Sequence, residues 1–279
     1  MRKKNKRKPH ILIKFLASLV VLCLLWYINN LTLKTTNVII YSSKIHSEVK
    51  IAAISDLHYD RLSVSGSSVR KRIEKQNPDL IFVLGDMYST GSSSEDIEKT
   101  TDFIISLSDI CPVYFVPGEH DDDIEYLVKL KNNDINVMDY KCQKIWVDGN
   151  QLEIYGIDNV YFSDTFNLEN EFPSPDSSIF SILLAHIPMY RYYQNFGTDL
   201  TVCGDTHGEI VQLPFLGCVR YNGEWFPELH GSSDDVYDKG LFKYIGGYMF
   251  ITSGLGNYPL PLRFYNRPEV AVITLAPSE

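Results

Sequence analysis

Val49-Lys50-Ile51-Ala52-Ala53-Ile54-Ser55-Asp56-Leu57-His58 is a largely apolar run that stops in polar, chemically capable residues. The pattern returns at Leu80-Ile81-Phe82-Val83-Leu84-Gly85-Asp86 and at Val113-Tyr114-Phe115-Val116-Pro117-Gly118-Glu119-His120-Asp121. It appears again at 179–185 before His186-Ile187-Pro188, and at Leu200-Thr201-Val202-Cys203-Gly204-Asp205-Thr206-His207. Short apolar runs bounded by Gly, Asp and Pro read as strands. Leu80–Leu84 holds no polar residue, as expected in a sheet covered on both faces. Between these runs, 69–76 stops at Asn77-Pro78 and reads as a helix. So do 92–108, with Ser caps and Glu95-Asp96 in its first turn, and 124–130. From about Ile135 strand pairs follow, with 144–147 and 152–155 flanking the hairpin signal Asp148-Gly149-Asn150. Segments 38–41, 248–252 and 270–275 complete the strands. The order is β-α-β first and mostly β later, which predicts one α/β domain over residues 36–279.

Open α/β sheets place ligands beyond the carboxyl ends of their strands, so the five polar clusters can converge on one pocket. Four of the seven His residues (His58, His120, His186, His207) lie in them. A single Asp or His after a strand is ordinarily a turn residue or a cap. Five in succession, mixing Asp or Glu with His or Gly, are not accounted for that way. Gly85, Gly118 and Gly204 allow the tight turns that aim the next side chain into the pocket. Carboxylates and imidazoles together are the ligand set of Mn²⁺, Fe or Zn²⁺, and a carboxylate can bridge two ions. Two ions about 3.5–4 Å apart suit in-line displacement at phosphorus.

Charge is divided along the chain. Residues 1–35 carry eight Lys/Arg and no acid, leaving 18 basic against 35 acidic groups in the remainder. A body that acidic repels a phosphate backbone, which argues against sequence-independent nucleic-acid binding. A phosphate ester would have to be drawn in by bound cations instead. Residues 1–10 read as a basic cytoplasmic tail. Ile11–Ile28 is apolar apart from Lys14, Ala17 and Ser18, and as a helix is about 27 Å long, enough for the lower end of a membrane span. The expectation is a transmembrane signal-anchor at 11–28 and a linker at 29–35. The basic flank stays cytoplasmic, and everything after Asn29 lies outside the cell membrane. A cleaved signal peptide is the rival, but no small-x-small site follows the apolar run. Of the cysteines beyond it (Cys111, Cys142, Cys203, Cys218), buried free thiols are expected for most.

The ordered set Asp56-x-His58, Gly85-Asp86, Gly118-Glu119-His120-Asp121, His186 and Gly204-Asp205-Thr206-His207 resembles the signature of the calcineurin-like metallophosphoesterases. The tail Gly254–Glu269 and the stretch 208–215 are similar to the membrane-linked bacterial branch of YkuE/YaeI-type phosphodiesterases. The resemblance spans roughly residues 36–279 and implies two facing mixed β-sheets flanked by helices, with metals at one end. It implies a first metal site of Asp56, His58, Asp86 and His207. Asp86 would bridge to a second site with Glu119, His186 and Asp205, and His120 would hold the scissile phosphate and assist the leaving oxygen. Two divalent ions are implied, Mn²⁺ first, with Mg²⁺, Fe or Zn²⁺ as alternatives. Three positions depart from the pattern: Glu119 replaces Asn, Asp205 replaces the first His of G-H-x-H, and Ser89 replaces an Asp that orients the catalytic His. Orientation of His120 is then expected from Asp121, Asp122 or Asp123. The leading expectation is a membrane-anchored phosphoesterase acting on a phosphodiester or pyrophosphate, with a lipid-linked substrate. A phosphatase of a soluble nucleotide or phosphomonoester, and a non-catalytic metal- or headgroup-binding domain, are the alternatives. For the tail aromatics Tyr258, Phe264 and Tyr265, a place in the core is expected ahead of a substrate wall.

Overall fold

A computed structural model describes residues 9–158, 167–230 and 236–278. The basic cluster at 2–8 lies outside the described residues. Helix α1 (Pro9–Leu31) precedes β1 (Lys34–Ser42), β2 (Val49–Ile54), α2 (Gly66–Glu74), β3 (Leu80–Val83), α3 (Ser94–Leu107), β4 (Val113–Phe115), α4 (Ile124–Lys131) and β5 (Asn136–Val137). Then come β6 (Lys141–Val147), β7 (Asn150–Gly156), α5 (Leu168–Glu171), β8 (Phe180–Leu184), α6 (Tyr190–Phe196) and β9 (Leu200–Cys203). Two small hairpins follow, β10 (Gln212–Leu213) with β11 (Gly217–Cys218), and β12 (Arg220–Tyr221) with β13 (Glu224–Trp225). The chain closes with β14 (Gly240–Tyr244), β15 (Gly247–Ile251) and β16 (Glu269–Pro277).

Twelve of these strands build two six-stranded mixed sheets, in the orders β1-β16-β2-β3-β4-β5 and β14-β15-β9-β8-β7-β6. The two-residue period of a strand decides what lies between them. Ile51, Ala53, Leu80 and Phe82 of the first sheet meet Leu152, Ile154, Ile182 and Val202 of the second in one buried layer. The alternate residues Ala52, Ile54, Ile81 and Val83 face outward onto Val69, Ile73, Ile104 and Leu107 of α2 and α3. On the far side, Leu183, Met249 and Ile251 pack against Tyr193 and Phe196 of α6. Both faces of β3 are therefore covered, as its wholly apolar sequence requires. The helix starts follow local chemistry: Ser65, Ser93 and Asp123 each accept a backbone N–H of the first turn of α2, α3 and α4. The fold is the expected pair of facing mixed sheets flanked by helices.

Parallel pairing of β2, β3 and β4, and of β7, β8 and β9, sends all five polar clusters to one end. Cross-links tie those ends together: the Asp56 N–H donates to Gly85 O (2.9 Å) and the Gly204 N–H to His186 O (2.9 Å).

The apolar helix α1 stands out of this body. Its stretch Ile11–Leu31 is long and apolar enough to cross a membrane, and its position near the amino terminus also suits a signal sequence. Residues 29–35 are not free chain: α1 runs to Leu31 and β1 begins at Lys34. Asn30 is fully buried and pairs both ways with the Arg263 backbone, accepting from its N–H (2.9 Å) and donating to its carbonyl (3.2 Å). Trp26 Nε1 donates to Pro261 O at 2.7 Å. All five cysteines are free thiols; Cys203 and Cys218 are buried, whereas Cys142 on β6 is exposed, because β6 is the edge strand of its sheet.

Candidate metal centre

Five of the seven expected ligands (Asp56, His58, Asp86, Asp205 and His207) have φ between 44° and 70°. Left-handed backbone is uncommon away from glycine and collects where a chain must turn sharply to present a side chain. Here each strand stops and the next residues double back, so the side chains point into the space above both sheets. Gly85 takes φ +85°, and Gly118 lies so close to the Asp86 carboxylate that any Cβ there would collide with it. Asp121, expected to orient His120, instead holds these turns together. Its carboxylate accepts the backbone N–H of Asp86 (2.6 Å), Gly118 (2.9 Å) and Met87 (3.3 Å).

The turns bring Asp56, His58, Asp86, His120, His186 and His207 into one buried cluster. Three overlapping triads, Asp56/His58/His207, His58/Asp86/His120 and Asp56/Asp86/His186, each offer three ligand atoms within 4.8 Å of one another. Asp86 is central: its Oδ2 lies 3.3 Å from His186 Nε2, 3.8 Å from His120 Nε2 and 4.0 Å from His58 Nε2. Asp56 Oδ1 lies 3.8 Å from His207 Nε2 and 4.0 Å from His186 Nε2. The nitrogens His58 Nε2 and His207 Nε2 face each other at 3.3 Å. Asp205 sits at the margin, with Oδ1 3.8 Å from His186 and its N–H donating to the Asp56 carboxylate at 3.2 Å. Glu119 stands on the rim with a half-exposed side chain, Oε1 3.9 Å from His120 Nε2. Neither Glu119 nor Asp205 belongs to a triad.

Burial and mutual charge set the protonation of the cluster. Burial pushes Asp56 up to about 7, against the pull of His186, with Asp86 adding to the rise. Asp205 is raised for the same first reason. Burial also works against the Asp86 carboxylate, but the charge of His186 and the hydrogen bonds it receives hold it below the usual carboxylate range. His186 is opposed by burial yet lifted well above the usual imidazole value by Asp86, Asp56 and Asp205. Burial lowers His58 to about 4 and, together with Arg263, takes His207 well below its ordinary value. His58 and His207 are therefore neutral at pH 7, the form that ligates a cation. This donor set, two neutral imidazoles and two buried carboxylates meeting a third imidazole, fits a divalent cation.

Neighbouring groups orient the rings. His186 Nδ1 faces Leu84 O at 2.6 Å, a contact that makes Nδ1 the donor and turns Nε2 to the cluster. Ser89 Oγ lies 3.1 Å from His58 Nδ1 and is fixed by its own N–H on Asp60 (3.0 Å). Ser89 thus serves His58 and not His120. His120 Nδ1 accepts the Thr90 N–H at 3.1 Å, with Thr90 Oγ1 at 2.7 Å. An Nδ1 that accepts leaves the ring proton on Nε2, aimed at the cluster. Arg263 Nη2 lies 3.4 Å from His207 Nδ1. Because guanidinium only donates, the His207 tautomer that suits Arg263 carries its proton on Nε2, and ligation through Nε2 would require that proton to move to Nδ1.

Tyr258 stacks on His58 (centroids 4.5 Å, 18°) and meets His120 edge-on (5.2 Å, 65°), with Arg61 5.9 Å above its ring. Phe264 and Tyr265, expected in the core, are 44% and 65% exposed, because the tail runs over the surface at the end of α1. A groove of about 400 Å³ leaves the cluster between His207, Tyr258, Arg220 and Trp225. Thr90, Arg263 and the placement of Tyr258 were not signalled by sequence; Asp121 was read for a different partner.

A family model described as calcineurin-like phosphoesterase matches residues 49–209, more than half of the chain. The metallophosphoesterase YkuE of Bacillus subtilis is 26% identical over 234 residues, covering 81% of this chain and 78% of that protein. The phosphodiesterase YaeI of Escherichia coli is 28% identical over 236 residues, covering 81% and 82%. The crystal structure of TT1561 of Thermus thermophilus aligns with a TM-score of 0.48 at 13% identity, over 75% of this chain and 90% of that one. With its ordered strand-end carboxylates and imidazoles, two-sheet fold and a matching family model, the chain belongs to the calcineurin-like phosphoesterase family, whose members are metal-dependent.

Proposed function

We propose that the protein is a membrane-anchored phosphoesterase that hydrolyses a phosphodiester or pyrophosphate bond of a lipid-linked substrate at the outer face of the cell membrane. The observation that carries this reading is the Asp86 carboxylate, one oxygen of which lies within 4.0 Å of three imidazole nitrogens. Asp86 is suited to bridge two cation sites, one with Asp56, His58 and His207, the other with His186 and, from the margin, Glu119 and Asp205. Divalent cations held by these residues would neutralise the phosphate and supply an activated water for in-line attack. His120 presents its Nε2 proton to the leaving oxygen, with Thr90 as the group that fixes its tautomer. The oxygen-rich second set favours Mn²⁺ or Mg²⁺ over Zn²⁺ or Fe. The groove beside Tyr258 and Trp225 provides an apolar wall for the substrate, and Arg220 a cation for a second phosphate. The membrane reading is supported by α1 together with Leu260, Leu262 and Tyr265, which are more than half exposed beside its last turns.

Hydrolysis of bis-p-nitrophenyl phosphate by the full-length protein, with Mn²⁺, Mg²⁺, Zn²⁺ or Fe²⁺ and then with chelator, tests the chemistry. Turnover that chelator abolishes is expected. No turnover with any metal overturns the enzymatic reading, and preference for p-nitrophenyl phosphate overturns the diesterase. For topology, external protease on intact cells should digest residues after about 35. Protection until lysis would overturn the outward orientation.

A further inference from the structure

Four lysines of the acidic body pair directly with a carboxylate. Lys44 meets Asp199 at 2.8 Å, Lys99 meets Glu95 at 2.7 Å, Lys129 meets Asp102 at 3.2 Å and Lys144 meets Asp176 at 3.5 Å. A different arrangement stands at the carboxyl end of α1. There a pocket of about 370 Å³ is lined by Lys34, Lys239 and Arg267, with Ser253, Tyr265 and Ile28 completing the wall. Among the described residues no carboxylate oxygen comes within 4.0 Å of any of these three cationic heads. Lys239 Nζ donates to the neutral amide oxygen of Asn266 (3.0 Å). Arg267 donates to the carbonyls of Leu33 (2.8 Å) and Thr32 (3.4 Å) just past α1. The acid in the wall, Glu269, is engaged elsewhere, accepting from Thr36 Oγ1 (2.6 Å) and the Ser253 N–H (3.4 Å).

Three cations line one cavity in an acidic body; Asp238 and Glu269 act on Lys239 through charge, but neither carboxylate lies within 4.0 Å of a cationic head, so the donors are not closed off by ion pairs. Burial pulls Lys239 down to about 8, the behaviour of an ammonium held in a poorly solvated wall. Guanidinium, ammonium and hydroxyl donors around one cavity are the chemistry that holds a phosphate ester. The pocket also has an apolar side. Ile28 belongs to the exposed helix α1, and Tyr265 is 65% exposed beside it. An anionic lipid can thus place its phosphate among the cations while its glycerol and first methylenes follow α1.

We propose that this pocket is a binding site for a phosphate-bearing anion, filled by the headgroup of an anionic phospholipid beside the anchor helix. The choice of lipid rests on the membrane reading above; the anion chemistry does not. The site lies behind the metal cluster, since Asn266, which meets Lys239, donates to His207 O at 2.7 Å. Basic pockets at a membrane surface bind anionic headgroups in this way.

The test uses the full-length protein in neutral detergent with chelator present, so that no metal-held phosphate contributes. Dihexanoyl-phosphatidylglycerol, dihexanoyl-phosphatidylcholine and inorganic phosphate are titrated separately by calorimetry. Phosphatidylglycerol is expected to bind at least tenfold more tightly than phosphatidylcholine. The double variant Lys34→Gln/Lys239→Gln should lose that preference, while Lys44→Gln, which breaks an ordinary ion pair, keeps it. Lys34→Gln alone, at an exposed side chain, should give a smaller loss in the same direction if the double variant fails to fold. Phosphate binding that the variant abolishes, without lipid binding, overturns the headgroup as occupant and leaves a free-phosphate site. Equal binding of the two lipids with no phosphate binding, or a preference untouched by the variants, overturns the pocket. Hydrolysis of bis-p-nitrophenyl phosphate with metal is measured separately, so failure of the catalytic reading is seen on its own.

Discussion

Asp86→Asn is expected to lower kcat at least about 10²-fold, the scale set by loss of one major electrostatic group at a reacting centre. The substitution keeps the shape of the side chain and its position above Gly118, so the turn survives. It removes the charge from the oxygen that faces His186, His120 and His58 within 4.0 Å. It can also present an amide N–H to those rings, where only an acceptor serves. Bound metal per chain should fall together with activity, because Asp86 takes part in two of the three triads. His120→Ala is the contrast. With Nδ1 accepting from Thr90 and the proton on Nε2, His120 has a proton to offer, and on the proposed reading it gives that proton to the leaving oxygen. Its loss should reduce kcat by about 10²–10⁴-fold while metal content stays nearly unchanged. Retained activity in Asp86→Asn would remove the bridging role. Loss of metal in His120→Ala would make that residue a ligand.

Metal affinity should fall steeply below about pH 7. Asp56, held near 7 by burial, carries a proton below that value in the metal-free protein, and a cation must displace it. His186, raised well above the ordinary imidazole value by three carboxylates, gives up another. Each displaced proton contributes about a tenfold loss of affinity per pH unit on the acid side of its pKa. His58, already neutral because burial takes it to about 4, adds nothing in this window. Stability of the metal-free protein moves the opposite way. Asp56 and Asp121 are both raised to about 7, so between their ordinary carboxylate value and about 7 the folded state holds protons that the unfolded state has released. Folding is therefore favoured at the acid end of that window and weakens as pH rises through it. The stabilisation from His186 is likewise complete below the ordinary imidazole value and lost as pH rises through its raised one. Asp86 opposes this at lower pH, where falling pH protonates it. Metal titrations and metal-free melting curves between pH 5 and 8.5 read both effects. A flat affinity profile would mean that the cation does not displace the protons of Asp56 and His186.

The strands that carry the site were legible because their signal is local. An apolar run such as Leu80–Leu84 ending in Gly85-Asp86 declares a covered strand and the turn after it, and each of the five strand-end clusters did the same. Short or weakly patterned elements were passed over: β14 on a sheet edge, with its alternating half-exposed residues, the two-residue strands β5 and β10 to β13, and the short helices α5 and α6. The three motif departures were also visible, but their surroundings were not. Ser89 turned out to support His58, and His120 is held by the backbone N–H of Thr90, a group every non-proline residue carries and no sequence pattern marks.

By itself the sequence determined one α/β domain with β-α-β order first and mostly strands later, the apolar helix at the amino terminus and a set of carboxylates and imidazoles fit for a cation; the pair of facing sheets came with the family resemblance. Tertiary structure alone decided how they meet. Asp205 reaches Asp56 across 149 positions of chain, His58 faces His207 across 149, and Arg263 comes to His207 across 56. Asn30 and Arg263 stand 233 positions apart, yet their contact makes the end of α1 part of the body beside the metal cluster. Side-chain spacing along a strand is set by bonds between neighbours. Contacts between strand ends are set by the twist and stacking of two sheets, which no short stretch of chain contains.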